Sequence, residues 1–418
     1  MPDNLIIRNA AQVVTCSGFA ARRGAEMAEL GVIENGSVVI EGGIIRAVGP
    51  TAEVAPGDSS GYQVIDAAGK AVLPGFVDSH THLVFGGYRA EEFGWRLRGM
   101  PYMEIMRRDG GIVSTMQATR QASAESLLDA ARRRLYTLLA FGVTTVEGKS
   151  GYGLDLPTEL KQLEVMRALA AIHPVEVVPT FMGAHAVPPE YAQRTDDYVS
   201  FLIDTVLPAV AQRKLARFCD IFCEQDVFSV AQSRRLLSRA RDLGFGLKLH
   251  ADEIVRIGGA ELAAEMGAVS ADHLLQASDR GIAALAAAGV VATLLPGTAF
   301  SLKAPYARGR YMIDQGCAVA LASDLNPGSC FTESMPLIIA LACLYMGLTP
   351  EEAVCAATIN GAAALGMADT IGSLDAGKQA DLVILEFPSY HYIPYHIGVS
   401  TVQTVIKKGR VVFRKTDA

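Results

Sequence analysis

From Leu73 to Gly372 the chain alternates, eight times over, a short apolar segment with a longer helical stretch. The apolar segments are FVDSHTHLV, VTTVEGK, VEVVPTFM, CDIFCE, FGLKLHA, AVSADHL, VVATLLP and AVALASD. Strands this apolar along both faces belong in a sheet covered on both sides. Strands that alternate with helices pair in parallel, and eight such units close into a (β/α)8, TIM-like barrel of the α/β class. The connecting stretches SAESLLDAARRRLYTLLAFG and VAQSRRLLSRARDLG read as helices. Another helix begins at Thr349, with Pro350 in its first turn and Glu352 three residues after the cap.

The chain ends have a different texture. LIIRNAAQVVT, SVVIEGGIIRAVG and YQVIDAAGKAVL near the start, and ADLVILEF and VQTVIKKGRVVF near the finish, are β-branched runs broken by glycine. They predict one small β-sandwich built from both ends, residues 1–72 and 373–418, flanking a barrel of residues 73–372. With 418 residues, half of them hydrophobic, the chain can bury a large core. A formal charge of −7 argues against nucleic acid or an anionic membrane as partner, but leaves room for a small anionic substrate in a locally positive pocket. Seven cysteines, mostly within apolar runs, suit free buried thiols in a reducing, cytoplasmic setting. The first residues lack a basic stretch leading into an apolar core, so no secretory leader is expected. No apolar run approaches the length of about 18 residues that a membrane span needs.

In a barrel of this kind, chemistry collects at the C-terminal ends of the strands. The polar residues that interrupt the apolar segments fall there: His80 and His82, Lys149, His185, Glu224, His250, His273 and Asp324. His80 and His82 are two apart, so on a strand both imidazoles project to one face. His250 ends the fifth segment and Asp324 the eighth, so both reach the same mouth. Three imidazoles and a carboxylate suit one ion of zinc or iron. Lys149 reads as a structural or pocket cation. Cys219 and Cys223 read as buried thiols, and no G-x-S-x-G elbow marks a serine hydrolase.

The segments LPGFVDSHTHLVFGGYRAEEF, EGKSGYGLD, LKLHADE, SADHL and ASDLNPGS resemble motifs of the imidazolonepropionase family. GSLDAGKQADLVIL resembles the return to the β-sandwich seen across the amidohydrolase superfamily. The resemblance covers nearly the whole chain. It implies metal-dependent hydrolysis of the cyclic amide of 4-imidazolone-5-propanoate to N-formimidoyl-L-glutamate, in a homodimer. It implies that His80, His82, His250 and Asp324 hold the metal, one divalent or trivalent ion of zinc or iron. Glu253, His273 and Asp324 become the catalytic residues, with the general base open among them. Arg89 would clamp the propanoate, unless it pairs with Glu91 or Glu92. Tyr102, Tyr152, His185, Glu253, Asn326, Gly328 and Ser329 would contact the substrate. Where the family often has His-Ala-Glu, this chain has His250, Ala251 and Asp252, with Glu253 following. A deaminase of the same superfamily and a non-catalytic barrel are the competing readings; metal content and the carboxylate partner of Arg89 separate them.

Overall fold

The computed structural model describes residues 4–55, 59–100, 104 and 110–416. Strands β1 (Asn4–Val14), β2 (Val32–Glu41), β3 (Ile44–Pro50), β4 (Gln63–Asp66) and β5 (Ala71–Pro74) open the chain. The barrel strands follow: β6 (Phe76–Asp78), β7 (Val143–Lys149), β8 (Glu176–Ala184), β9 (Phe218–Cys223), β10 (Gly246–Ala251), β11 (Ser270–His273), β12 (Val291–Leu294) and β13 (Val319–Leu321). β14 (Leu382–Leu385), β15 (Val402–Lys407) and β16 (Arg410–Arg414) close it. The chain ends form one sheet in the order β16-β15-β14-β5-β1-β2-β3, with β4 on β1, and β6 to β13 form the other in chain order. The expected (β/α)8 barrel with a small β-unit from both chain ends is therefore present.

Every barrel pairing is parallel. The last gap is closed by backbone bonds beyond the regular strands, and Asp78 adds side-chain bonds to Ser323. Asp324 N donates to His80 O at 3.0 Å, and His82 N donates to Leu325 O at 2.9 Å. The regular first strand stops at Asp78, earlier than the apolar segment suggests. Its neighbour bends there because Asp324 adopts a left-handed φ of 52°, so the ladder continues as isolated bonds.

Alternation along the outer strands decides which core each side chain joins. Val72, Leu382, Ile384 and Ile406 point into the small core of the flanking sheet. Their neighbours Leu73, Val383, Leu385 and Val405 point into the barrel's core. The two units thus share one continuous apolar seam. The helices start where side-chain caps appear. Ser123, Asp155, Ser229, Ser278 and Thr349 each accept the backbone N–H three residues on, and Thr349 completes the expected box with Glu352. All seven cysteines are unbridged, and all but Cys343 are buried.

His173 ends the helix Leu156–Ile172, and its Nδ1 accepts the Val175 N–H at 3.1 Å. Burial, with help from Arg132, lowers its pKa from 6.5 to about 4. Since the unfolded chain binds this proton more readily, the neutral ring stabilises the fold fully above 6.5, and that contribution is lost as pH falls toward about 4. His173→Asn keeps an acceptor and removes the titration. Its melting temperature should therefore depend less steeply on pH across that window than the wild type's; parallel curves would rule out His173 as a contributor.

Candidate metal centre at the barrel mouth

His80, His82, His250 and Asp324 arrive from β6, β10 and β13 and converge. His80 Nε2 lies 3.5 Å and His82 Nε2 3.7 Å from Asp324 Oδ1. His82 Nε2 lies 3.4 Å from His250 Nε2. His80, His82 and Asp324 present ligand atoms that all fall within 4.8 Å of one another, and so do His80, His250 and His273. All five residues are buried.

The outer nitrogens explain how the rings are aimed. His80 Nδ1 meets Asp272 Oδ2 at 2.7 Å, and His250 Nδ1 meets Asp220 Oδ2 at 3.1 Å. A carboxylate accepts, so each Nδ1 carries the hydrogen and each Nε2 offers a lone pair to the mouth. Burial, reinforced by neighbouring cations and rings, drives the pKa values of His80, His82 and His250 well below 6.5. These are neutral imidazoles, the form that binds metals. His80 Nε2 is buried with no hydrogen-bond partner among the described residues. Burial also raises the Asp324 carboxyl to about 7, although Thr298 Oγ1 donates to its Oδ2 at 2.5 Å. Facing lone pairs, an orphaned nitrogen and a costly buried carboxylate fit a cation at this point.

His273 stands beside this cluster, its ring 5.0 Å from that of His250 and 5.4 Å from that of His80. Its backbone holds a left-handed φ of 75°. Both its ring nitrogens are buried without a hydrogen bond among the described residues, and Nε2 lies 3.6 Å from Glu253 Oε2. The Glu253 carboxylate makes no hydrogen bond with any described residue, and burial raises it to about 8, with Asp324 and Glu224 adding repulsion. The turn that carries it is fixed from both sides. Asp252 accepts the N–H groups of Ile257, Gly258, Gly259 and Ala260, and Glu224 those of Ile254 and Val255. Asp252 thus serves as backbone anchor, and Glu224 spends its oxygens on amides.

His185 stacks on His82 with centroids 4.7 Å apart, and Tyr152 packs against both rings. Tyr152 sits in a turn wrapped round Glu159, whose carboxylate accepts the N–H groups of Gly151, Gly153 and Leu154. Gly151 has φ 106°, and a Cβ there would come within 2.9 Å of the His185 Cβ. Only glycine allows the two to approach so closely.

Arg89 forks onto Glu92, with Nε to Oε2 at 2.8 Å and Nη2 to Oε1 at 2.6 Å. The pairing foreseen as the alternative is therefore the one observed, though it is largely buried rather than on the surface. The remaining Nη1 faces Gly328, where a Cβ would sit only 2.2 Å away. Asn326 Oδ1 accepts the N–H groups of Gly328 and Ser329, and its Nδ2 donates to Asp324 O at 2.7 Å. This residue therefore ties its loop to Asp324. Tyr102 lies outside the described residues.

Sequence reasoning missed Glu147, Asp220, Lys248, Asp272, Glu159 and Thr298. Two of them carry a usable signal, since Glu147 precedes Lys149, and Lys248 precedes His250, by two positions on one strand face.

The barrel with its flanking β-unit from both chain ends has matches among known proteins. A sequence profile described as the amidohydrolase family matches residues 63–111 and 98–413, so the chain belongs to that family. The fold agrees: 5-methylcytosine deaminase from Klebsiella pneumoniae superposes with a TM-score of 0.73 at 18% identity, over 99% of both chains. A zinc-bound adenosine deaminase from Xanthomonas campestris gives 0.71 at 20% identity, over 97% of this chain and 92% of that one. Within the family the assignment is narrower. An imidazolonepropionase of Parabacteroides distasonis is 63% identical over 98% of this chain and 99% of its own, and one of Clostridium tetani is 58% identical over 99% of both. The chain is a member of the imidazolonepropionase family.

Proposed function

We propose that this chain hydrolyses the cyclic amide of 4-imidazolone-5-propanoate to N-formimidoyl-L-glutamate, a step in histidine degradation. The observation that carries the reading is the meeting of His80, His82, His250 and Asp324 in a chain 63% identical, end to end, to an imidazolonepropionase. In this reading those four residues hold one ion, zinc or iron. When bound, the ion supplies Lewis acidity toward the ring carbonyl and makes water acidic near neutral pH.

The chain's own groups do the rest. His273, whose ring nitrogens make no hydrogen bond among the described residues, stabilises the developing oxyanion or orients water. Proton transfer to the leaving nitrogen falls to Glu253, whose carboxylate makes no hydrogen bond among the described residues, whereas Asp324 is already held by Thr298. Tyr152 and His185 flank the ring. Arg89, exchanging Glu92 for the propanoate, clamps the tail with Asn326, Gly328 and Ser329 around it. Residues 73–372 carry this chemistry, and residues 1–72 and 373–418 form the flanking unit.

The test follows loss of imidazolonepropanoate absorbance in chelated enzyme and after zinc or iron is returned. Activity lost and restored supports the reading; turnover indifferent to chelation refutes it. Arg89→Ala should raise KM about ten- to a hundredfold, the scale of one charge-assisted pair, with kcat little changed. An unaltered KM would remove the clamp.

We also infer a cytoplasmic homodimer. Among the described residues no helix is long and apolar enough to cross a membrane. Helices Met335–Tyr345 and Tyr392–Tyr395 pack together, and Leu344, Tyr345, Tyr395 and Ile397 around them are exposed. Sedimentation at equilibrium decides the subunit count.

A further inference from the structure

Beneath the imidazoles the barrel interior is charged rather than apolar. Glu147 and Lys149 on β7, Asp220 on β9, Lys248 on β10 and Asp272 on β11 all have zero exposure. Lys149 Nζ lies 2.7 Å from Asp220 Oδ2, 3.0 Å from Glu147 Oε2 and 3.4 Å from Asp272 Oδ2. It donates hydrogen bonds to Asp220 and Asp272 and pairs by charge with Glu147. Lys248 Nζ lies 2.9 Å from the same Glu147 oxygen and donates to Ser79 O at 3.1 Å.

The oxygens of Asp220 and Asp272 that meet Lys149 are also the ones that meet the rings. Asp220 Oδ2 takes both Lys149 Nζ and His250 Nδ1, and Asp272 Oδ2 takes both Lys149 Nζ and His80 Nδ1. The other oxygen of each is used as well: Asp220 Oδ1 accepts the N–H groups of His250 and Ile221, and Asp272 Oδ1 accepts Ser270 Oγ. Neither carboxylate can rotate without losing several bonds. One ammonium thereby links two imidazoles that come from strands far apart in the chain. So many buried charges are costly, and a purely apolar interior would pack at least as well. Their arrangement toward two rings points to a role beyond packing.

We propose that Lys149 is a positioning residue for the metal centre: by bridging Asp220 and Asp272 it fixes the orientation of both carboxylates, and through them the Nδ1–H tautomers of His80 and His250. Both Nε2 atoms are then presented together at the mouth. The proposal rests on the preceding reading only for the identity of the ligand nitrogens. It does not depend on which substrate is hydrolysed.

Two measurements on metal-free protein test it. In wild-type protein carrying isotopically labelled histidine, nuclear magnetic resonance should show His80 and His250 as Nδ1–H tautomers. In Lys149→Met the pattern should become mixed. Zinc affinity, measured by competition with a chromophoric chelator, should fall about ten- to a hundredfold in that variant, as for loss of other outer partners of ligating histidines. Should Lys149→Met fail to fold, Asp220→Asn and Asp272→Asn keep the side-chain shape and should each weaken zinc by a similar factor. Unchanged tautomers with unchanged zinc affinity, in Lys149→Met or in both carboxamide variants, would overturn the proposal. A lowered melting temperature of metal-free protein with zinc affinity intact would also overturn it, since that is the mark of packing alone.

Discussion

Replacing His250 by alanine is expected to lower kcat by at least about a thousandfold, because several kcal/mol of transition-state stabilisation depend on the ion it helps to hold. The physical case starts from the neutral ring. Burial holds the His250 pKa well below the ordinary value, so the nitrogen facing the mouth is available without first losing a proton. Its Nε2 lies 3.4 Å from His82 Nε2, close enough for both nitrogens to serve one ion. Removing one ring leaves His80, His82 and Asp324, whose atoms still lie near each other, so residual binding is expected at high metal concentration. The purified variant should therefore carry well under one ion per chain and recover part of its activity in excess zinc. Full metal content with full turnover in His250→Ala would place the chemistry elsewhere.

Glu253→Gln should reduce kcat by about two to four orders of magnitude, the range for a positioned proton-transfer group. Metal content and melting temperature should stay near the wild type, because the carboxylate makes no hydrogen bond among the described residues. The contrast is with its neighbour. Asp252 anchors four backbone N–H groups, so Asp252→Ala should cost stability as well as activity. If Glu253→Gln retained normal turnover, proton transfer would have to be reassigned to His273 or Asp324. Metal content and kcat measured on the same preparations separate these cases from simple unfolding.

The eight barrel strands were readable because each is an apolar run fenced by helical stretches, and strand ends in a barrel are where polar side chains collect. His80, His82, His250 and Asp324 stood out as polar interruptions at those ends, and the structure brings them together. The charged layer below was not readable in the same way. Asp220 and Asp272 are single letters inside apolar segments, and their partners lie on other strands, so only the closed barrel reveals that each serves an imidazole. Arg89 shows the opposite difficulty. Its near neighbour Glu92 was visible as a partner, but the Gly111 N–H that also binds Glu92 comes from beyond the following helix. The resemblance marked Asn326 and Gly328 as substrate contacts, and Asn326 Oδ1 accepts the Gly328 N–H within a local turn. What local pattern could not show is that this turn is tied to the main chain of Asp324. The shortened first strand has a similar origin: the left-handed backbone of Asp324, which breaks the ladder, has no signature in residue type.

The seam between His80–His82 and Asp324–Leu325 joins the first barrel strand to the last. During synthesis the two halves of that seam leave the ribosome far apart in time, and non-local pairing of this kind comes late in folding. A nascent chain released or arrested before Asp324 would carry the three ligand histidines of the proposed centre but no finished cage. Metal capture is therefore tied to completion of the domain, and truncated products should compete poorly with full-length enzyme for a scarce ion.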